Sequence, residues 1–186
     1  TDPGSASVTI APPAGVVDGD VLIAHVTADL TPSMSQVPAG WAPLFTSPLS
    51  INTGARVFAY YYVVQDAAGL PASWTWQLST SVKWGAGMTA FSGVDVSNPF
   101  DSAVSTAVQS SYSTSIATVP GVTTVTPGSM VVGGVGFDSG NVTVSPPAGW
   151  TEAWEAGVQT AELTYQSRSA SGPTGDATWS LSLPMA

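Results

Sequence analysis

Short apolar runs alternate with breaker clusters along the whole chain. Runs rich in Val, Ile, Thr, Tyr and Trp recur between groups of Pro, Gly, Ser and Asn, the pattern of antiparallel strands joined by turns. It predicts strands over Ser7–Ala11, Val21–Ala28, Arg56–Val64, Ser73–Leu78, Trp84–Ser92, Thr114–Val119, Met130–Phe137, Ala161–Arg168 and Ala177–Leu183. Helical signals are almost absent, and fifteen prolines with nineteen glycines suit turns and strand starts, not helix interiors. Alternation is poor across Arg56–Val64, so both faces of that strand are expected to be buried.

The pattern repeats. Shifted by 109 residues, Thr9–Trp41 lies over Thr118–Trp150 without a gap, and nine of thirty-three positions are identical. Thr9, Val16, Gly19, Val26, Asp29, Pro38, Ala39, Gly40 and Trp41 return as Thr118, Val125, Gly128, Val135, Asp138, Pro147, Ala148, Gly149 and Trp150. Trp76-Gln77-Leu78-Ser79 returns as Trp179-Ser180-Leu181-Ser182, with the second copy six residues shorter. Such a register indicates a duplication. Each copy is expected to run from an edge strand through a turn at Gly19 or Gly128 into a buried strand. A loop then ends in Pro-Ala-Gly-Trp, where a type I turn with left-handed Gly frees Trp41 or Trp150 to plug the core.

The copies differ at their ends. The first continues into the apolar run Trp84–Val94, and the second reaches Leu183-Pro184-Met185-Ala186 with no counterpart. A sheet edge left open there would invite self-assembly with a neighbouring chain. The expectation is an all-β antiparallel β-sandwich, jelly-roll-like or Ig-like, forming one domain over 1–186 with pseudo-repeat halves 1–109 and 110–186.

Composition narrows the partners. Only 8% of residues are charged, the net charge is −9, and Arg56, Lys83 and Arg168 are the only Lys or Arg. No basic cluster exists to displace counterions from phosphates, which argues against nucleic acid and against anionic membranes. No apolar run approaches the ~18 residues of a membrane span, so membrane insertion is not expected. Without cysteine, disulfides and thiolate metal sites are impossible. A neutral, hydroxyl-rich surface with few protease-sensitive basic residues suits life outside a cell. The chain opens at Thr1 with neither Met nor a signal peptide, as expected of a processed product, a designed chain or a piece of a longer polypeptide.

The series Gly19-Asp20-Val21-Leu22-Ile23-Ala24, Pro38-Ala39-Gly40-Trp41, Phe58-Ala59-Tyr60-Tyr61-Tyr62-Val63, Trp74-Thr75-Trp76, Ala90-Phe91-Ser92-Gly93-Val94-Asp95 and Asn98-Pro99-Phe100-Asp101 resembles a module of large secreted bacterial surface proteins. Similar segments occur in minor tail proteins of phages that infect actinobacteria. The resemblance spans nearly the whole chain and implies a sandwich used as an adhesive, carbohydrate-contacting or spacer unit.

Candidate chemistry is sparse. Sugar platforms need exposed flat rings, and Trp74 and Trp76 share one strand face, while Tyr112 and Trp154 lie in polar surroundings; Trp84, Tyr60 and Tyr62 would extend a platform. Core packing competes for the same rings. Asp95, Asn98 and Asp101 form an oxygen-rich loop suited to a possible Ca2+, though Asx turns use the same residues. Zinc lacks ligands, and no other cofactor is expected. His25 with Asp29 has a helical spacing on a strand, and no Gly-x-Ser-x-Gly elbow is present. Glu152 with Glu155, and Asp18 with Asp20, read as solvated loop acids that announce no cleft. Lys83 is a candidate for an intramolecular isopeptide link, with a plain exposed Lys as the alternative.

The resulting expectation is no enzyme. It is a non-catalytic extracellular or virion-surface module for binding or adhesion, contacting polysaccharide or a cell-surface glycan. The alternative is a structural decoration or assembly subunit of a phage virion or surface filament.

Overall fold

The computed structural model describes residues 4–46, 48–51, 53–109, 114–140 and 142–185, and among them no helix is formed. The fold is all-β. The first half comprises β1 (Ser5–Ile10), β2 (Val21–Asp29), β3 (Met34–Gln36), β4 (Ala42–Pro43), β5 (Leu49–Ile51), β6 (Ala55–Val63), β7 (Trp74–Val82) and β8 (Trp84–Phe91). One sheet has the order β1-β7-β3 and the other β4-β6-β2-β8, with β5 also on β6. The second half comprises β9 (Thr114–Val119), β10 (Thr123–Thr124), β11 (Met130–Gly136), β12 (Val144–Ser145), β13 (Thr151–Ala156), β14 (Ala161–Ser167), β15 (Gly172–Pro173) and β16 (Ala177–Met185). Its sheets are β12-β16-β9 and β11-β14-β13, with a small β10-β15 pair. Strand β13 and the short strands β3, β4, β5, β10, β12 and β15 carry too few apolar positions to be read from the pattern.

The halves share one plan down to single bonds. Thr9 faces Thr75 and Thr118 faces Thr178, with hydroxyls 2.8 and 3.0 Å apart. Gly19 and Gly128 both take positive φ, 89° and 84°, and donate to Val64 O and Arg168 O, each at 2.9 Å. The Trp41 N–H meets Pro38 O at 3.3 Å and the Trp150 N–H meets Pro147 O at 3.0 Å, which closes both Pro-Ala-Gly-Trp turns as expected. Trp41 then packs edge-on against Trp76, centroids 5.0 Å apart, and Trp150 against Trp179 at 6.0 Å. Trp76 and Trp179 are completely buried.

Two interiors exist, not one shared interior. The first is built around Leu22, Phe58, Tyr60, Trp41, Trp74 and Trp76. The second is smaller, around Val135, Phe137, Val144, Trp179 and Leu181. The physical reason is the two-sided nature of β2. Leu22, Ala24, Val26 and Ala28 enter the first interior, while the intervening Ile23, His25 and Thr27 are buried as well. They are covered by the second half, whose β11 and β14 lie against β2 and whose β13 and β14 lie against β8.

Glycines set how close these layers come. A Cβ at Gly87 would collide with the Trp154 indole, and one at Gly136 would collide with Thr27 and Val57. Their absence lets one half lie directly on the other. Phe91 and Tyr165 meet edge-on across the same junction, 6.0 Å apart.

Candidate functional site

The described candidate platform rings lie inside the protein. Trp76 is inaccessible and Trp74 is 7% exposed, both packed with Trp41 in the first interior, so neither offers a face to a sugar. Tyr60 is buried beside Trp76, while Tyr62 and Trp84 are half-buried against the same cluster. Trp154 lies in the layer between the halves, over Gly87 and 6.1 Å from the His25 ring. Burial follows from area: each large ring gains more by leaving water than by lying on a neutral surface. Tyr112 lies outside the described residues.

The oxygen-rich loop points its carboxylates apart. Asp95 Oδ1 accepts from the Ser97 N–H at 3.0 Å and the Ser97 hydroxyl at 2.6 Å, an Asx turn that lowers its pKa. Asp101 Oδ2 accepts from the Val125 N–H at 2.6 Å, the Thr126 N–H at 3.1 Å and the Ser129 hydroxyl at 3.3 Å, and its pKa is lowered in turn. Asp101 thus ties the connection between the halves to the turn that precedes β11. Asn98 is exposed, and among the described residues no three His, Cys, Asp or Glu side chains converge as a metal site.

The remaining acids are also engaged locally. Asp18 Oδ1 accepts from the Ala67 N–H at 2.6 Å, and the buried Asp20 accepts from the Val17 N–H at 3.0 Å. Asp29 Oδ1 accepts from the Leu30 N–H at 2.9 Å and does not orient His25. Lys83 is exposed.

Two titratable side chains stand apart. His25 is 3% exposed in the layer between the halves, beside Gly134 and Trp154, and its Nδ1 has no hydrogen-bond partner. Burial drives its pKa down to about 4. Glu162 on β14 is fully buried, and both its carboxyl oxygens lack partners. Burial, reinforced by Glu152 and Glu155, pushes its pKa up to about 8. Glu152 and Glu155, expected in a loop, lie on β13 instead, opposite Thr164 and Glu162. Glu155 Oε2 accepts from the Val144 N–H at 2.8 Å. Glu162 carries no sequence motif, but the repeat held a usable signal, since its register position matches that of a Phe.

Two surface hollows are present. A cleft of about 360 Å³ at the junction is bordered by Pro13–Val16, Thr89, Ser92 and Ala153. A smaller apolar hollow, about 90 Å³, lies beside β11, where Gly134–Phe137 and Ile116–Val119 face Ala107–Gln109 and the Leu49, Ile51 and Val57 side of the first half.

No protein-family model, curated protein or solved structure matches this chain.

Proposed function

We propose that the chain is a non-catalytic binding and assembly module of an extracellular or virion surface. One observation carries the reading: the side of the second half that corresponds to the strand-closed β1–β8 side of the first is an apolar hollow beside an edge strand. Sparse charge and exposed apolar residues on that half, Ile116 at 49% and Met130 at 44% among them, favour contact with other chains. The titratable groups with the largest pKa shifts, His25 and Glu162, are sealed from solvent, which suits a structural role better than turnover.

Polysaccharide is the second reading, favoured by the junction cleft, where Thr89 and Ser92 bring hydroxyl groups to an open surface. Saturable binding on a glycan array, lost in a Thr89→Val, Ser92→Ala double variant, would support it. The leading reading is tested by light scattering and electron microscopy of the whole chain with purified surface or virion proteins. Association lost in Ile116→Asp is the expected result. Hydrolysis of model glycosides or esters that tracks the folded protein overturns the non-catalytic reading.

A further inference from the structure

In the first half β8 pairs with β2 from Trp84 to Phe91 and lies beside β1, closing that side. In the second half the equivalent side is bounded by β9 and β11, and β11 pairs with β14 alone among the described residues. No described strand stands where β8 stands. Part of the connection between the halves passes there instead. Asp101 ties it to Val125 and Thr126 just before β11, and Ala107–Gln109 flank the hollow beside Gly134–Phe137 at the other end. Residues 102–109 thus run along the outer edge of β11 without forming a ladder, and most are exposed.

We propose that this edge of β11 receives an extended segment of another polypeptide, antiparallel to β11, in the position that β8 takes beside β2. The proposal rests on the reading of the chain as a binding module and names the partner's chemistry. β11 (Met130–Gly136) carries no charge and no proline, so it lacks the devices that keep sheet edges from pairing. Its occupant would meet Val135 and Ile116 on one face and Leu49, Ile51 and Val57 on the other. An uncharged strand, apolar on both faces, satisfies both surfaces. β8 itself, Trp-Gly-Ala-Gly-Met-Thr-Ala-Phe, is such a strand and shows what the position accepts. Residues 102–109 are a strap that the incoming segment displaces, tethered at its start by Asp101.

The test uses a synthetic peptide of residues 83–92 added to the whole chain, with amide hydrogen exchange as the readout. The expected result is saturable protection of β11 that a scrambled peptide does not give. Asp101→Ala, which releases the strap, tightens binding by about threefold, and Ile116→Asp, which sets a charge in the groove, weakens it by about tenfold. Ile116 is half-exposed, so an unchanged melting temperature separates this loss from misfolding. Absence of β11 protection in both the original chain and Asp101→Ala overturns the proposal. Peptide binding that leaves β11 unprotected also overturns it, while the broader binding-module reading survives. Concentration-dependent β11 protection without peptide makes the occupant a second copy and overturns it as well.

Discussion

Glu162 occupies in the second half the place that Phe58 occupies in the first. Val26 stands opposite Phe58 on β2 and β6, and its repeat equivalent Val135 stands opposite Glu162 on β11 and β14. Phe58 fills an apolar interior, whereas Glu162 brings a carboxyl group with no hydrogen-bond partner into the equivalent space. Its neighbours Glu152 and Glu155 add like charge. The second half therefore folds around a group that opposes its own burial.

Replacing Glu162 by an apolar residue of similar volume should stabilise the protein. Glu162→Leu is expected to add about 1–3 kcal/mol, since an unpaired buried polar group is exchanged for packing. The melting temperature should rise by about 2–4 °C for each kcal/mol gained. Calorimetry checks this, and a lower melting temperature would mean that the carboxyl makes a stabilising contact.

Stability should depend on pH in a way set by two opposed groups. Between its usual 4.5 and its folded value of about 8, Glu162 holds a proton that the unfolded chain has lost, so stability falls as pH rises. Between about 4 and its usual 6.5, the unfolded chain holds a proton that buried His25 lacks, so stability rises with pH. The slopes, up to about 1.4 kcal/mol per pH unit each, oppose one another from 4.5 to 6.5 and leave a plateau. Above 6.5 only the decline through pH 8 remains. Urea titrations across this range test it, and Glu162→Leu should abolish the decline and unmask the rise below 6.5.

Trp154 should control the protonation of His25. Trp154→Ala opens the layer between the halves and is expected to cost about 2–3 kcal/mol, the lower part of the range for deleting a large ring. Water reaching His25 should move its pKa back toward 6.5, visible in an NMR titration of the imidazole. A pKa that stays near 4 would show that other groups seal the histidine.

Gly136 should tolerate no side chain. Gly136→Ala drives a methyl group into Thr27 and Val57 and is expected to destabilise by about 1–3 kcal/mol. Gly157→Ala, where a Cβ meets nothing within 4 Å, should be neutral or slightly stabilising. Equal unfolding midpoints for the two variants in urea would refute the close approach of the halves.

Local chemistry was readable before any coordinates. Period-2 patterns and turn residues placed the long strands because a strand's face and a turn's φ depend on near neighbours. The Pro-Ala-Gly-Trp repeat placed two equivalent Trp plugs because the same turn aims the same ring. Exposure was another matter. Trp74 and Trp76 were readable as a shared face, but which side faced water depended on a second sheet many residues away in the chain. Trp154 and His25 looked like separate features until one half lay upon the other. Glu155 read as a loop acid because β13 has little apolar pattern of its own.

The amino-acid order alone determined the all-β class, the main strands, the turns and the duplicated plan, since each rests on short-range stereochemistry. Only tertiary structure decided that two interiors form, that a glutamate replaces a phenylalanine inside one of them, and that β11 keeps an unpaired edge. Those outcomes depend on which surfaces meet, and burial is a property of the meeting, not of either surface by itself.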